Sequence, residues 1–210
     1  MKTCYIFGAA EGLPENFTKQ NGDLLIAADA GLLHLERLNI SPDIILGDFD
    51  SLGNVPQCGE VIQHPVKKDD TDTMLAVKTG FERGYKNFVL YGCTGKRLDH
   101  TLANLQTLNY IAEKGGNGCL CGDGFTATAL KNGKINFTEK AKGNISVFSS
   151  VTKSKGVNIK GLLYELKDAE MEFNFPLGVS NEFIGKPSEI EVKDGTVIII
   201  WSGDTKLIKS

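Results

Sequence analysis

The run Leu24-Leu25-Ile26-Ala27-Ala28 has no polar residue at either of its two alternating positions. In an extended chain successive side chains point to opposite faces, so both faces of this segment must be covered by protein. That requirement favours helices on both sides of a mostly parallel sheet. The neighbouring segments agree. Residues 5–7, 44–46, 61–64 and 87–91 read as further strands. The stretches between carry helical spacing: Leu32, Leu35 and Leu38; then Met74, Val77 and Phe81; then Leu102, Leu105, Leu108 and Ile111. Pro42 closes the first connection, Gly84 ends the second helix, and Gly115 and Gly116 end the third. Strands alternating with helices imply parallel βαβ units with right-handed crossovers.

After about Leu130 the helical periodicity stops. Segments 145–151, 156–166, 171–175 and 196–201 read as strands, and Lys193-Asp194-Gly195-Thr196 reads as a hairpin-like Asp-Gly signal. The expected fold is α/β, an N-terminal mostly parallel sheet with flanking helices over 1–137, plus a C-terminal all-β sandwich domain over 138–210.

A chain of 210 residues is long enough for one large domain or two small ones. Its net charge of −3 gives no electrostatic case for nucleic acid or a membrane surface as partner. No apolar segment approaches the ~20 residues of a membrane helix. The apolar run near Tyr5 is too short for a signal peptide and reads as a first strand. Cys4, Cys58, Cys93, Cys119 and Cys121 are odd in number and scattered, without zinc-knuckle spacing, which suits reduced thiols in a cytoplasmic protein.

Ligands of an open α/β sheet bind beyond the carboxyl ends of its strands. Four such ends carry polar clusters here: Asp29 with Gly31, Asp48 with Asp50, Thr71 with Asp72, and Gly92 through His100. In Gly47-Asp48-Phe49-Asp50-Ser51 two carboxylates lie two residues apart after an apolar strand. They repel each other and invite a cation, and oxygen-only ligands suit Mg²⁺. An ordinary turn would use the same residue types. In Gly92-Cys93-Thr94-Gly95-Lys96-Arg97-Leu98-Asp99-His100, glycines let backbone N–H groups approach an anion, and Arg97 can grip phosphate with two bonds. The loop matches neither the P-loop nor the dinucleotide fingerprint, and a glycine turn with solvated basic residues would look alike. Asp99 suits either a helix cap or a partner for Arg97. His100 beside a helix start is more often structural than catalytic, and Asn104 is equally at home as an interior hydrogen-bonder. Asp72 is the best third carboxylate. Asp70 and Thr71 fit plain helix capping, and Lys68 fits either phosphate neutralisation or solvated surface.

In combination these segments resemble the thiamine pyrophosphokinases. The likeness runs through Asp29-Ala30-Gly31, Gly47 to Ser51, Lys68 to Asp72, and Gly92 to His100 with Asn104. It continues with Gly161-Leu162-Leu163-Tyr164-Glu165-Leu166, Gly178-Val179-Ser180-Asn181-Glu182 and the strand ending at Trp201. The resemblance implies a catalytic, ATP-binding α/β domain and a β-sandwich that binds thiamine and dimerises. It implies a homodimer with active sites at the interface, with ATP and thiamine as partners and Mg²⁺ as cofactor. Pyrophosphoryl transfer from ATP to the thiamine hydroxyl would give thiamine diphosphate and AMP. By the same resemblance Asp48, Asp50 and Asp72 would be catalytic and hold the metal. Asp29, Lys68, Thr71, Gly92, Gly95, Arg97, Asp99 and His100 would shape the nucleotide site, and Tyr164, Ser180, Asn181 and Trp201 would neighbour thiamine. The first loop departs from the family pattern: Ala9-Ala10-Glu11-Gly12 stands where an Asn-Gly pair is usual. Two other readings stay open on the residues alone. One is a phosphohydrolase with Asp48 as nucleophile. The other is a nucleotide or thiamine sensor without turnover.

Overall fold

The computed structural model describes residues 2–49, 59–64, 69–95 and 97–208. The chain divides into two compact units, Met1–Asp123 and Gly124–Ser210.

The first unit is built on parallel strands β1 (Thr3–Phe7), β2 (Leu24–Ala28), β3 (Ile44–Gly47), β4 (Glu60–Gln63), β5 (Asn87–Tyr91) and β6 (Asn117–Cys121). Their order across the sheet is β6-β5-β1-β2-β3-β4. Helices α1 (Gly31–Arg37), α2 (Asp72–Glu82) and α3 (Leu98–Glu113) connect β2 to β3, β4 to β5 and β5 to β6. Every residue of β2 is buried, as its unbroken apolar run requires. From β1 the chain winds outward through β2, β3 and β4, then returns to lay β5 on the other side of β1. The strand order therefore reverses between β1 and β5, and a crevice forms beyond the carboxyl ends at such a reversal.

The second unit contains β7 (Phe125–Phe137), β8 (Asn144–Ser149), β9 (Lys153–Lys160), β10 (Leu166–Glu172), β11 (Gly178–Glu182) and β12 (Ser188–Ser202). The long strands β7 and β12 pair antiparallel along most of their length. The first half of β12 also pairs with β9, which carries β10, while its second half pairs with β8, which carries β11. Two sheets thus share β7 and β12 and enclose a core with Ile145, Val147, Val157, Ile159, Phe137 and Trp201. The switch from one sheet to the other falls at a register shift between Val192 and Thr196. There the Gly195 N–H donates to Asn132 Oδ1 at 2.9 Å. Extra residues at such a bulge bend the strand and let it serve both sheets.

The expected architecture is present, with four differences. Lys193 to Thr196 form this bulge inside β12, not a hairpin turn. The strand expected over 156–166 is β9 followed by a separate loop. β7 belongs to the second unit, so the units divide at Asp123/Gly124 and not at 137/138. In α3 the buried face is Asn104, Thr107, Leu108, Ile111 and Ala112, while Leu102, expected in the core, is 57 % exposed.

Candidate active site

The carboxyl rim of the first unit is assembled from loops that hold one another. The segment after β1 lies along the segment after β5. Gly8 N–H donates to Tyr91 O (2.8 Å), Ala10 N–H to Gly92 O (2.7 Å) and Glu11 N–H to Thr94 O (2.8 Å), while Gly92 N–H donates to Gly12 O (3.2 Å). The approach is so close that a Cβ on Gly92 would strike the Gly8 carbonyl, and Gly92 has φ +63°. Only glycine meets both demands at no cost. The atypical first loop, Ala9 to Gly12, is thus a structural wall of the Gly92–Gly95 loop.

Three further contacts tie this pair of loops to the helices. His34 on α1 donates Nε2–H to the Ala10 carbonyl at 3.1 Å. Thr73 in the first turn of α2 places its hydroxyl 4.0 Å from Cys93 Sγ. Asn104 on α3, 6 % exposed, donates Nδ2–H to the Cys93 carbonyl at 2.7 Å. Asn104 is therefore the interior hydrogen-bonder, and it fixes the loop from beneath. Burial pushes the Cys93 thiol up to about 12, and its Sγ donates to Tyr91 O at 3.2 Å, so it stays a neutral thiol and not a nucleophile.

The carboxylates come next. Asp29 follows β2 in a left-handed conformation, φ 50°, and its N–H donates to Leu46 O at 2.7 Å. Its Oδ1 is buried and has no hydrogen-bond partner among the described residues. A buried carboxylate oxygen in that state is costly unless a cation or donor reaches it. Gly47, ending β3, abuts Asp29: a Cβ there would lie 3.1 Å from Asp29 Cα. Asp48 is the next residue, so two carboxylate-bearing residues leave neighbouring strands at the same rim. Phe49 beyond it is 3 % exposed, has φ 61°, and is packed into the core with Phe7, Leu32 and Leu35. Asp72 opens α2, whose cap is Thr71, its Oγ1 accepting from Met74 N–H at 3.2 Å. Asp70 is taken by Lys78, 2.7 Å away. Arg97 and Asp99 form an exposed two-pronged pair, Nη2 to Oδ2 at 2.6 Å and Nε to Oδ1 at 3.3 Å. The hydrogen bond from Arg97 holds the Asp99 carboxyl below the usual carboxylate range. His100 is exposed on α3. Among the described residues no group of three or more His, Cys, Asp or Glu could hold a metal ion. Asp50 and Lys68 lie outside the described residues.

In the second unit, Tyr164 is 64 % exposed on the loop after β9, and Asn181 on β11 is 3 % exposed. Ser180 has φ 59°, and its N–H donates to Ser146 Oγ at 3.1 Å. Trp201 corrects the sequence expectation of a thiamine neighbour. It is 1 % exposed, with its ring 5.3 Å from that of Phe137 and Nε1–H donating to Asp204 O at 3.1 Å. It is a core residue of the sandwich.

Comparison with known proteins decides what this arrangement belongs to. The family model described as "Thiamin pyrophosphokinase, catalytic domain" matches residues 17–119, and "Thiamin pyrophosphokinase, vitamin B1 binding domain" matches residues 133–197. The chain belongs to the thiamin pyrophosphokinase family. Each match falls inside one of the two compact units. The chain is 25 % identical over 188 residues to the thiamine pyrophosphokinase of Bacillus subtilis, covering 86 % of this chain and 88 % of that one. The crystal structure of thiamine pyrophosphokinase from B. subtilis superposes with a TM-score of 0.85 at 25 % identity, covering 97 % of this chain and 100 % of that one. A thiamin pyrophosphokinase family protein from Enterococcus faecalis gives 0.80 at 26 % identity, covering 98 % and 100 %.

Sequence reasoning missed the bracing behind the site. His34 and Phe49 were not singled out, because a histidine or phenylalanine at an apolar helical or strand-end position carries no mark of its task. The left-handed backbone at Phe49 had no sequence signal at all, since glycine or asparagine is the usual tenant there.

Proposed function

We propose that this member of the thiamin pyrophosphokinase family transfers the pyrophosphoryl group of ATP to the hydroxyl of thiamine, giving thiamine diphosphate and AMP. The observation that carries the reading is the pair of matches, catalytic domain then vitamin B1 binding domain, in order along one chain. The first unit serves catalysis and ATP, and the second serves thiamine and assembly.

The donor set fits a hard divalent cation. Asp48 and Asp72, with Asp50, would hold Mg²⁺, and the buried Oδ1 of Asp29, without a hydrogen-bond partner among the described residues, supports a cation at the same rim. When bound, Mg²⁺ supplies charge neutralisation for polyphosphate oxygens. The remaining work falls to the chain. The Gly92–Gly95 loop, braced by Asn104 and the first loop, offers backbone to the phosphates, and Thr71 sets the start of α2 beside it. Arg97, pre-set by Asp99, presents a guanidinium plane at the opening of α3. Phosphoryl transfer asks mainly for positioning and charge neutralisation, and a rim of mutually fastened loops supplies the first. A carboxylate of this rim takes the thiamine hydroxyl proton.

The chain works as a homodimer in the cytoplasm. Phe173, Phe175, Leu177 and Val179 alternate as exposed apolar residues, a pattern that supports burial against another copy. Cys4 and Cys93 are buried and in no disulfide, which supports a reducing compartment. The test is AMP formation from ATP by the purified chain. It should require both thiamine and Mg²⁺. ATP breakdown that ignores thiamine would overturn the reading.

A further inference from the structure

The geometry points to Asn181 as a positioning residue that locks Tyr164 in place for thiamine, and not as a thiamine contact itself. The inference rests on the thiamine pyrophosphokinase reading above. It starts from an irregularity in β11. The pairing of β11 with β8 shifts register between Gly178 and Asn181, and Ser180 inside that shift is left-handed at φ 59°. A bulge of this kind re-aims the side chain that follows it. Ser146 Oγ secures the bulge by accepting from Ser180 N–H at 3.1 Å.

The re-aimed side chain is Asn181, and its amide is spent inside the protein. Oδ1 accepts from Tyr164 N–H and from Glu182 N–H, both at 2.9 Å. Nδ2 donates to Tyr164 O at 2.6 Å. Both lone pairs and one of the two N–H groups are therefore used. With 3 % of its surface exposed, Asn181 has almost nothing to offer a ligand. What it does offer is a complete replacement for a strand neighbour: it satisfies both backbone groups of Tyr164.

The rest of the loop is fastened the same way. Leu163 N–H donates to Glu182 O at 3.0 Å, Leu162 bridges Phe183, and Gly161 N–H donates to Glu165 Oε1 at 2.7 Å. A 161–165 loop would otherwise be free to move. Here it is held at the residues around Tyr164, which itself stays 64 % exposed. An exposed aromatic ring on a fixed backbone suits a flat aromatic cation, because only its side-chain torsions lose freedom when the ligand arrives.

The test is thiamine binding measured calorimetrically without ATP, for the wild type, Asn181→Ala, Tyr164→Ala and the double variant. Amide hydrogen exchange at Tyr164 and steady-state kinetics accompany it. Asn181→Ala should weaken thiamine binding about tenfold, the loss expected when an anchoring hydrogen-bonded clip is removed. It should expose the Tyr164 amide to exchange and raise the KM for thiamine while leaving the KM for ATP unchanged. The double variant should bind no worse than Tyr164→Ala. Asn181→Asp keeps the acceptor but sets a carboxylate oxygen against the Tyr164 carbonyl, so it should bind thiamine no better than Asn181→Ala, and Asn181→Ser, small and uncharged, serves if the alanine variant does not fold. Additive losses in the double variant, or Tyr164→Ala binding like wild type, would overturn the assignment. So would variants that match a thiamine-binding wild type. A wild type that binds no thiamine would instead sink the functional reading, and this assignment with it.

Discussion

Replacing Gly92 by alanine asks whether the two loops at the strand reversal must touch. A Cβ at this position would press on the Gly8 carbonyl oxygen, far inside the 3.0 Å that real Cβ atoms keep. The loops would have to part, and the Ala10 N–H to Gly92 O bond, now 2.7 Å, would stretch or break. Two costs add. Left-handed backbone on a residue with a side chain costs roughly 1–2 kcal/mol. A buried hydrogen bond left unmade costs about 1–3 kcal/mol. At about 2–4 °C per kcal/mol for a chain of this size, the melting temperature should fall by roughly 4–20 °C. Gly84 gives the matched control, with φ +85° but nothing within 4 Å of an added Cβ. Gly84→Ala therefore carries only the backbone cost, roughly 1–2 kcal/mol. Differential scanning calorimetry of the two variants separates the terms. Gly92→Ala should also raise the KM for ATP and leave that for thiamine alone. Equal destabilisation by the two variants, with unchanged ATP kinetics, would refute the idea that the first loop braces the second.

Other consequences follow from the same rim. Asp48→Asn should cut AMP formation by about two orders of magnitude or more at saturating Mg²⁺, because charge neutralisation is lost where polyphosphate binds; near-normal turnover would remove Asp48 from the site. Asn104→Leu keeps the volume but leaves the Cys93 carbonyl without its donor, so chemical denaturation should show a loss of about 1–3 kcal/mol. Asp99 should titrate below the ordinary carboxylate range by NMR, since the Arg97 hydrogen bond favours its charged form. A depressed folded value means that the pair's small contribution is present above the unfolded Asp value and fades as pH falls through the folded one. In Arg97→Gln the Asp99 titration should move up, and an unmoved midpoint would show the pair to be inconsequential.

The parts of the fold that sequence shows plainly are those in which hydrophobicity and period agree. The apolar run of β2 reads as a doubly covered strand and is one. The loss of helical spacing after Leu130 marks the β unit, though β7 begins before it at Phe125. The failures have physical causes. In α3 the side toward the sheet is chosen by Asn104 reaching the Cys93 carbonyl, so Leu102 turns outward although spacing favoured it. In β12 the Asp-Gly pair resembles a turn, but Asn132 supplies a cross-strand acceptor that turns it into a bulge. The strand-end placement of Asp29, Asp48 and the Gly92 loop was legible because ligand sites of parallel sheets gather there. The clip at Asn181 was not, because a buried amide and a ligand-binding amide look the same in a sequence. Trp201 shows the converse: an aromatic fit for stacking is instead consumed by core packing against Phe137.

The central claim is that the chain moves two phosphoryl groups of ATP together. ATP carrying an isotopic label on the β-phosphorus tests it most directly, with both organic products resolved by mass spectrometry. The account predicts label in thiamine diphosphate, with one unlabelled AMP formed for each. Labelled ADP beside thiamine monophosphate would contradict it, as would labelled pyrophosphate released with no thiamine ester formed.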